Sequence, residues 1–324
     1  MKNLLGIDIG GTKTAVIYAQ ELEGNGLKIV DKIVFTTTNV KETLEGISFH
    51  FDEIVSRNRL AVKDVSAIGI SCGGPLDSKK GIIMSPPNLP DWDHIAIVDM
   101  MKERYGIPCA IQNDANACAV AEWKFGAGVG TKNMVFLTFG TGLGAGLILN
   151  DKLYCGANDN AGEVGHVRLS KFGPVGYGKQ GSFEGFASGG GIAQLAVLKL
   201  TELYQQGRRV DWCLSDNIGK VTAQLVAEQA YKGDSLANEI LKISATYLGR
   251  GLALLIDILN PECIVIGSIY ARNVDLFFPI VEKVLKEEAL GISLSACRIK
   301  PAQLGENIGD YAAVSIASNL INDL

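Results

Sequence analysis

Residues 4–19, LLGIDIGGTKTAVIYA, decide the fold. Leu4 to Ile9 is a short apolar run broken by one acid, Asp8, and Ala15 to Ala19 is a second run. Between them lies a glycine-rich tip, Gly10-Gly11-Thr12-Lys13-Thr14, so the segment reads as a hairpin. The same design returns at residues 134–149, MVFLTFGTGLGAGLIL, where the tip is Gly140-Thr141-Gly142-Leu143-Gly144. Laid over each other, Ile7 meets Leu137, Asp8 meets Thr138, Ile9 meets Phe139 and Gly10 meets Gly140. The spacing is close to one domain length and predicts two related halves facing each other across a cleft.

Outward from the hairpins, the pattern alternates between strand and helix and so defines an α/β protein. A strand is expected over 28–35, a helix over 41–57, a strand ending at Ser71, a helix near 95–105, a strand at 107–111 and a helix opening at Asp114. Beyond the second hairpin the chain is loop-rich to about Gly185. Helices then follow at 188–206, 219–232 and 234–259, a strand at 263–266, a helix at 274–288, a strand at 297–300 and a last helix from 307. The domains are expected as 1–120, completed by the helix 307–324, and 121–306, with a short hinge near 112–132.

The chain has 324 residues, 47% of them hydrophobic and 20% charged, which is enough to fold and too long for one core. A net charge of -5 argues against a nucleic-acid surface, which needs clustered cations. Asp8 breaks the apolar N-terminal run that an export signal requires, and the glycines of 133–150 make that uncharged stretch a turn between strands, not a membrane span. The seven cysteines include no CxxC pair and read as reduced thiols, so a cytoplasmic location is expected.

The tip after Asp8 offers backbone amides without intervening side chains, as a bound phosphate requires. A carboxylate beside phosphates makes sense chiefly with Mg²⁺ between them, so Asp8 is the expected metal residue. Neither tip matches GxxxxGK[ST] or a strand–helix GxGxxG. Asp114 follows a strand and opens a helix, where it could serve as a general base toward an alcohol or simply as the helix N-cap.

These residues resemble the ROK family (repressors, open reading frames, kinases), sugar kinases and regulators of the actin-like ATPase (ribonuclease H-like) fold. The resemblance spans essentially the whole chain. Gly10-Gly11-Thr12 looks like the family's first phosphate loop, with Asp8 and Lys13 beside it, and Thr138-Phe139-Gly140-Thr141-Gly142-Leu143-Gly144 like the second. Asn88-Leu89-Pro90-Asp91-Trp92 is similar to its sugar-contacting NLPxW segment, Asn113-Asp114-Ala115-Asn116 to its NDAN, and Glu163-Val164-Gly165-His166 to its EhGH. Glu184 falls at the last sugar-binding glutamate. The resemblance implies a sugar site of Gly74, Asn88, Asn113, Asp114, Glu163, His166 and Glu184. It implies a nucleotide site of Asp8, Gly10, Gly11, Thr12, Lys13, Thr138, Gly140, Thr141, Gly142 and Gly267. Such a mixture of neutral and anionic groups suits a polyol, whose hydroxyls both give and take hydrogen bonds.

The match breaks in three places. Where the family commonly carries a zinc knuckle, CxCGxxGCxE, the cysteine positions hold Val175, Tyr177 and Ser182, so no structural zinc is expected and Phe172, Tyr177 and Phe183 are candidate apolar anchors. A glycine run near the adenosine is replaced by Gly267-Ser268-Ile269-Tyr270. In Cys72-Gly73-Gly74-Pro75 the family more often has proline before Gly74.

The expected function is ATP- and Mg²⁺-dependent phosphorylation of a hexose or N-acetylhexosamine at a primary hydroxyl, with Asp114 as base. The alternative is a sugar-sensing or degenerate ROK protein with weak catalysis. A repressor would need a helix-turn-helix ahead of residue 1, and the first strand starts by Leu4. A small-molecule sugar and ATP are the expected partners, with no nucleic acid or membrane, in what the resemblance suggests is a homodimer.

Overall fold

The computed structural model describes residues 1–23 and 26–322. The chain packs as two compact units, the first built from Met1–Lys132, Gly146–Ala161 and the segment from Gln303 onward, the second from Asn133–Ala145 and Gly162–Ala302. Among the described residues no helix is long and apolar enough to cross a membrane.

In chain order the first unit begins with β1 (Lys2–Ile9), β2 (Lys13–Leu22), β3 (Gly26–Thr36), α1 (Val40–Arg57) and β4 (Val65–Cys72). A small antiparallel sheet follows, β5 (Leu76–Asp77), β6 (Ile82–Met84) and β7 (Asp93–Ile95), then α2 (Ile97–Tyr105), β8 (Cys109–Asn113) and α3 (Asp114–Phe125). The main sheet has the order β3-β2-β1-β4-β8. β1 and β2 are the expected antiparallel hairpin, while β1, β4 and β8 run parallel.

The alternation of β1 fills two apolar layers. Leu5, Ile7 and Ile9 point into a core that includes Ile47, Phe51 and Ile54 of α1, residues spaced to share one helix face. Leu4 points the other way, with Ala15, Ile17 and Ala67, against Ala313, Val314 and Ala317. Those three lie on α11 (Ile308–Asn322), the last helix of the chain.

The seat of that helix is made of absent side chains. Gly6 and Gly69 are register partners on β1 and β4. A Cβ at Gly69 would stand 2.1 Å from the Ala313 carbonyl oxygen and 2.4 Å from the Ala317 nitrogen, and one at Gly6 would stand 2.8 Å from Val314. Helix backbone therefore rests directly on sheet backbone. The approach to α11 is fixed by the fully buried Glu122 of α3. Its carboxylate accepts hydrogen bonds from the N–H groups of Gln303 and Leu304, both at 2.9 Å, and of Ala127 at 2.8 Å.

The second unit contains β9 (Met134–Leu137), followed in the chain by β10 (Ala145–Leu149) and β11 (Lys152–Leu153), which pair antiparallel and belong mostly to the first unit. Next come the hairpin β12 (Val175–Gly176) and β13 (Lys179–Gln180), α4 (Phe183–Phe186), α5 (Gly189–Gln205), α6 (Ala223–Tyr231) and α7 (Ser235–Leu259). β14 (Cys263–Ile266), α8 (Ser268–Arg272), α9 (Val274–Glu288), α10 (Gly291–Ala296) and β15 (Arg298–Pro301) complete it. β9 runs parallel to β14 and β14 to β15, repeating the β1, β4, β8 triplet.

Several expected boundaries shift for local reasons. Thr222 accepts a hydrogen bond from the Leu225 N–H, so α6 starts at Ala223 and residues 215–220 form a separate 3-10 turn instead of one helix over 219–232. Asp93–Ile95 pairs with β6, which delays α2 to Ile97. In the segment 267–270, Gly267 is the N-cap and Ser268 the first residue of α8.

Replacing Gly69 by alanine should lower the unfolding free energy by about 1–3 kcal/mol, because neither neighbour is a flexible side-chain end that can move aside. Urea unfolding measures this, and a loss below about 0.5 kcal/mol would show that the helix seat is not tight.

Candidate functional site

The first unit gathers one set of candidate residues at the C-terminal ends of its parallel strands. Asp8 is the penultimate residue of β1, and Asn113 and Asp114 stand where β8 becomes α3. Between them lies the end of β4, with Cys72 opposite Asn113 and Ser71 opposite Asp8 in the register. The tip Gly10–Lys13 is pinned from below. The Gly10 N–H donates to the Lys13 carbonyl at 3.0 Å, and the Thr37 hydroxyl donates to the Gly10 carbonyl at 2.7 Å. Gly11, Thr12 and Lys13 themselves are exposed.

Asn88 approaches this tip through its backbone. A Cβ on Gly11 would lie 2.4 Å from the Asn88 carbonyl oxygen, and one on Gly73 would lie 3.0 Å from the Asn88 side-chain oxygen. A Cβ on Gly74 would lie 4.0 Å from the Asn113 Cβ. Asp8, Gly11, Gly74, Asn88, Asn113 and Asp114 are thus held in one neighbourhood. Trp92, four residues from Asn88, is 1% exposed and belongs to the core.

The helix-cap question about Asp114 is resolved by its neighbour. Asn113 is the N-cap of α3, its side-chain oxygen accepting from the Asn116 N–H at 2.8 Å. Asp114 is the first helical residue, and its Oδ1 accepts from the Ala115 N–H at 2.8 Å. More than a third of Asp114 remains open to solvent, yet protein surrounds it, and this desolvation raises its carboxyl above the usual aspartate value. Asn116, fully buried, donates instead to Gln112 within the protein at 3.2 Å.

Asp8 is pushed up to about 6, from 3.8, chiefly by burial, with Asp310 and Asp114 adding repulsion and a Ser71 hydroxyl bond and Lys32 opposing it. Lys32 is itself bound to Asp310 at 2.5 Å. A carboxylate in such want of positive charge, beside a phosphate-type loop, fits a hard cation with oxygen ligands such as Mg²⁺.

In the second unit, the tip Thr138–Gly144 is closed by its own hydrogen bonds. The Gly140 N–H donates to the Gly142 carbonyl at 3.0 Å, and the Gly144 N–H to the Thr138 hydroxyl at 2.9 Å. Glu184 of α4 contributes to the same loop, its Oε2 accepting from the Leu143 N–H at 2.9 Å. Gly165 packs against this junction, since a Cβ there would stand 2.2 Å from the Leu143 carbonyl oxygen and 3.2 Å from the Glu184 Cβ. Glu163 and His166 flank Gly165 on a 3-10 turn and are both exposed. This brings Glu163, His166 and Glu184 together next to the second tip.

Below the tip lies a cavity of about 660 Å³, lined by Gly140, Thr141, Gly189, Gly190, Ser268 and Arg272 among others. The sequence reading named Gly140, Thr141 and Gly267 but missed its far side, formed by α6 and the start of α5. The signal was there: Ser188 caps a helix that begins with three glycines, and the N–H groups of Gly189 and Gly190 donate to the carbonyls of Gly140 and Thr141. Gly267 is buried behind this wall. Ser268 takes a left-handed conformation with φ +52 and faces the cavity, while Tyr270, 1% exposed, turns into the core and does not narrow it.

The apolar anchors expected in the 166–184 loop need correction. Phe183 is buried, but Phe172 is 76% exposed, and Tyr177 is 77% exposed because it sits at the tip of the hairpin turn Tyr177-Gly178. The loop is held mainly by hydrogen bonds. Ser182 accepts from the Gly185 N–H and the Gln194 side chain pairs with both backbone groups of Val175. Among the described residues, no group of three or more His, Cys, Asp or Glu side chains is placed to hold a metal ion. His50 pairs with Glu53 and His94 with Asp93.

Residues 4–319 match the ROK family, and the chain belongs to it, with the actin-like ATPase fold of that family's sugar kinases. It is 31% identical over 317 residues to a glucokinase of Halalkalibacterium halodurans, covering 94% of this chain and 92% of that protein. It is 27% identical over 277 residues to the DNA-binding transcriptional repressor Mlc of Escherichia coli, covering 85% of this chain and 66% of that one. A ROK family glucokinase from Streptomyces griseus, solved in complex with glucose and AMPPNP, is similar with a TM-score of 0.73 and 29% identity, over 98% of this chain and 99% of that chain.

Between about pH 4 and 6 the folded protein keeps a proton on Asp8 that the unfolded chain has released, so stability falls as pH rises through that window. The deficit above it is on the order of 3 kcal/mol at most. Asp8→Asn should therefore stabilise the ligand-free protein by about 1–3 kcal/mol at pH 7.5 and by nearly nothing at pH 3.5, read from urea unfolding at both values. Equal effects at the two pH values would show that Asp8 titrates normally.

Proposed function

We propose that this sugar kinase transfers the γ-phosphoryl group of ATP to a primary hydroxyl of a hexose or N-acetylhexosamine, with Asp114 as the general base. The observation that carries the reading is the placement of Asp114. It is a solvent-reachable carboxylate at a strand-to-helix junction, relieved of capping by Asn113 and set in the same neighbourhood as Asp8 and the first glycine tip. An alcohol is a weak nucleophile, and a carboxylate that takes its proton as the new O–P bond forms removes the obstacle, while the bond from the γ-phosphorus to ADP breaks.

The remaining roles follow from chemistry. Gly10–Lys13 and Gly140–Gly142 present amides and small side chains to the phosphates, and the 660 Å³ cavity accommodates the nucleoside. Asp8 would hold Mg²⁺, which would neutralise phosphate charge there. Asn88, Asn113, Glu163 and His166 receive and give hydrogen bonds to the sugar hydroxyls. Glu184 has one oxygen committed to Leu143, so it serves the sugar with the other and ties the second loop to the sugar site with the first. The names of the relatives support a glucose-type substrate, and the Streptomyces griseus complex, with glucose and AMPPNP, supports a nucleotide donor.

ATP consumption measured over glucose, N-acetylglucosamine, N-acetylmannosamine, mannose and fructose tests the substrate class, and silence with all of them would favour a sugar-binding protein without catalysis. Asp114→Asn should lower kcat by about 10²- to 10⁴-fold with little change in sugar affinity. In the wild type, the raised carboxyl of Asp114 should place the acid limb of the kcat/KM profile above the usual aspartate range. Near-normal turnover by Asp114→Asn would remove the base from the account.

A further inference from the structure

Tyr177 holds a conformation that its residue type avoids. Its φ is +43 and that of Gly178 is +73, and together they form the two-residue turn between β12 and β13. Such a turn, left-handed at both positions, is ordinarily filled by Asn-Gly, and a bulky ring in its first place is strained. The ring gains nothing by burial, since it is 77% exposed.

The hairpin beneath is fastened firmly enough to hold that strain. Gln194 accepts from the Val175 N–H at 2.9 Å and donates to the Val175 carbonyl at 2.8 Å. Lys179 donates to the His166 carbonyl at 2.8 Å, and Arg168 donates to the Gln180 carbonyl at 2.7 Å. The Gly181 N–H closes the base of the hairpin on the Pro174 carbonyl at 2.9 Å. These bonds tie the strained tip to the turn that carries His166, and the Tyr177 ring stands edge-on to the imidazole, 6.4 Å between centroids and 78° between planes.

A strained, solvent-facing aromatic that the surrounding bonds keep in place beside a sugar-binding candidate signals use. We propose that Tyr177 is a substrate-contacting residue, its ring packing on the apolar C–H face of the hexose held beside His166. An aromatic ring suits this task because it offers a rigid apolar face and, in tyrosine, a hydroxyl at the wet edge. The inference rests on the kinase reading given above, and it assigns affinity for the sugar, not chemistry, to this side chain.

The test compares wild type with Tyr177→Asn and Tyr177→Phe, using the hexose that wild type phosphorylates best. Tyr177→Asn fits the turn better, so it should raise Tm by a few degrees. At the same time it should raise KM for the sugar about tenfold, with kcat within about threefold and KM for ATP within about twofold of wild type. Tyr177→Phe keeps the ring and should keep sugar KM within about twofold. Calorimetric titration of the same sugar should follow the KM values. If wild type phosphorylates no hexose, the kinase reading fails and this role falls with it. If wild type is active and Tyr177→Asn leaves sugar affinity unchanged, or lowers kcat alone, the role of Tyr177 is overturned while the kinase reading stands.

Discussion

The first unit is organised by the contact of α11 with two glycines. Because Gly6 and Gly69 have no side chains, helix backbone settles onto the sheet at van der Waals distance, and the helix cannot shift without opening that contact. The consequence reaches the candidate site. Gly309, one residue into α11, faces Asp8 so closely that a Cβ there would stand 3.1 Å from the carboxylate. Asp310 follows, bound to Lys32 and adding its charge to the field at Asp8. The seat of the last helix thus helps to set the environment of a carboxylate on the first strand, and Glu122, receiving Gln303 and Leu304, holds the entrance to that helix in place.

Desolvation is the common device at this site. Asp8 and Asp114 are both raised, for the same leading reason, and they repel each other. A protein arranged only for stability gains nothing from two crowded carboxylates beside a glycine loop, because the ionised forms oppose folding at neutral pH. A phosphoryl-transfer site gains twice: one carboxylate attracts a cation, and the other has heightened affinity for a proton. The second unit follows a different principle. Its tip is braced by the Leu143 N–H donating to Glu184 and by the close packing of Gly165, and its sugar candidates stand on a loop held by side-chain to backbone bonds.

Much of this was legible in the sequence because it is local. The two hairpins announced themselves by apolar runs around glycine tips, and the parallel triplets β1, β4, β8 and β9, β14, β15 repeat one another. Asn113-Asp114 at a strand-to-helix junction was also visible, although which of the two capped the helix depended on a bond to Asn116 that spacing alone does not fix. What stayed hidden is non-local. The helix seat joins Gly69 to residue 313, and the 660 Å³ cavity joins Gly140 to residues of α6 and α8. Phe172 and Tyr177 looked like anchors because they are aromatic, but the left-handed turn that exposes Tyr177 is decided by its neighbour Gly178 and by bonds from Gln194, nineteen residues beyond Val175.

The central claim is that the fold keeps Asp8 short of positive charge until a ligand supplies it. The direct measurement is a carbon-13 NMR titration of the aspartate carboxyl groups, with Asp8 assigned by its absence in Asp8→Asn, run without ligand and again with Mg²⁺ and a non-hydrolysable ATP analogue. The account predicts an inflection for Asp8 near 6 without ligand and a clear downward move with it. An inflection near the ordinary 3.8 in both titrations would contradict it.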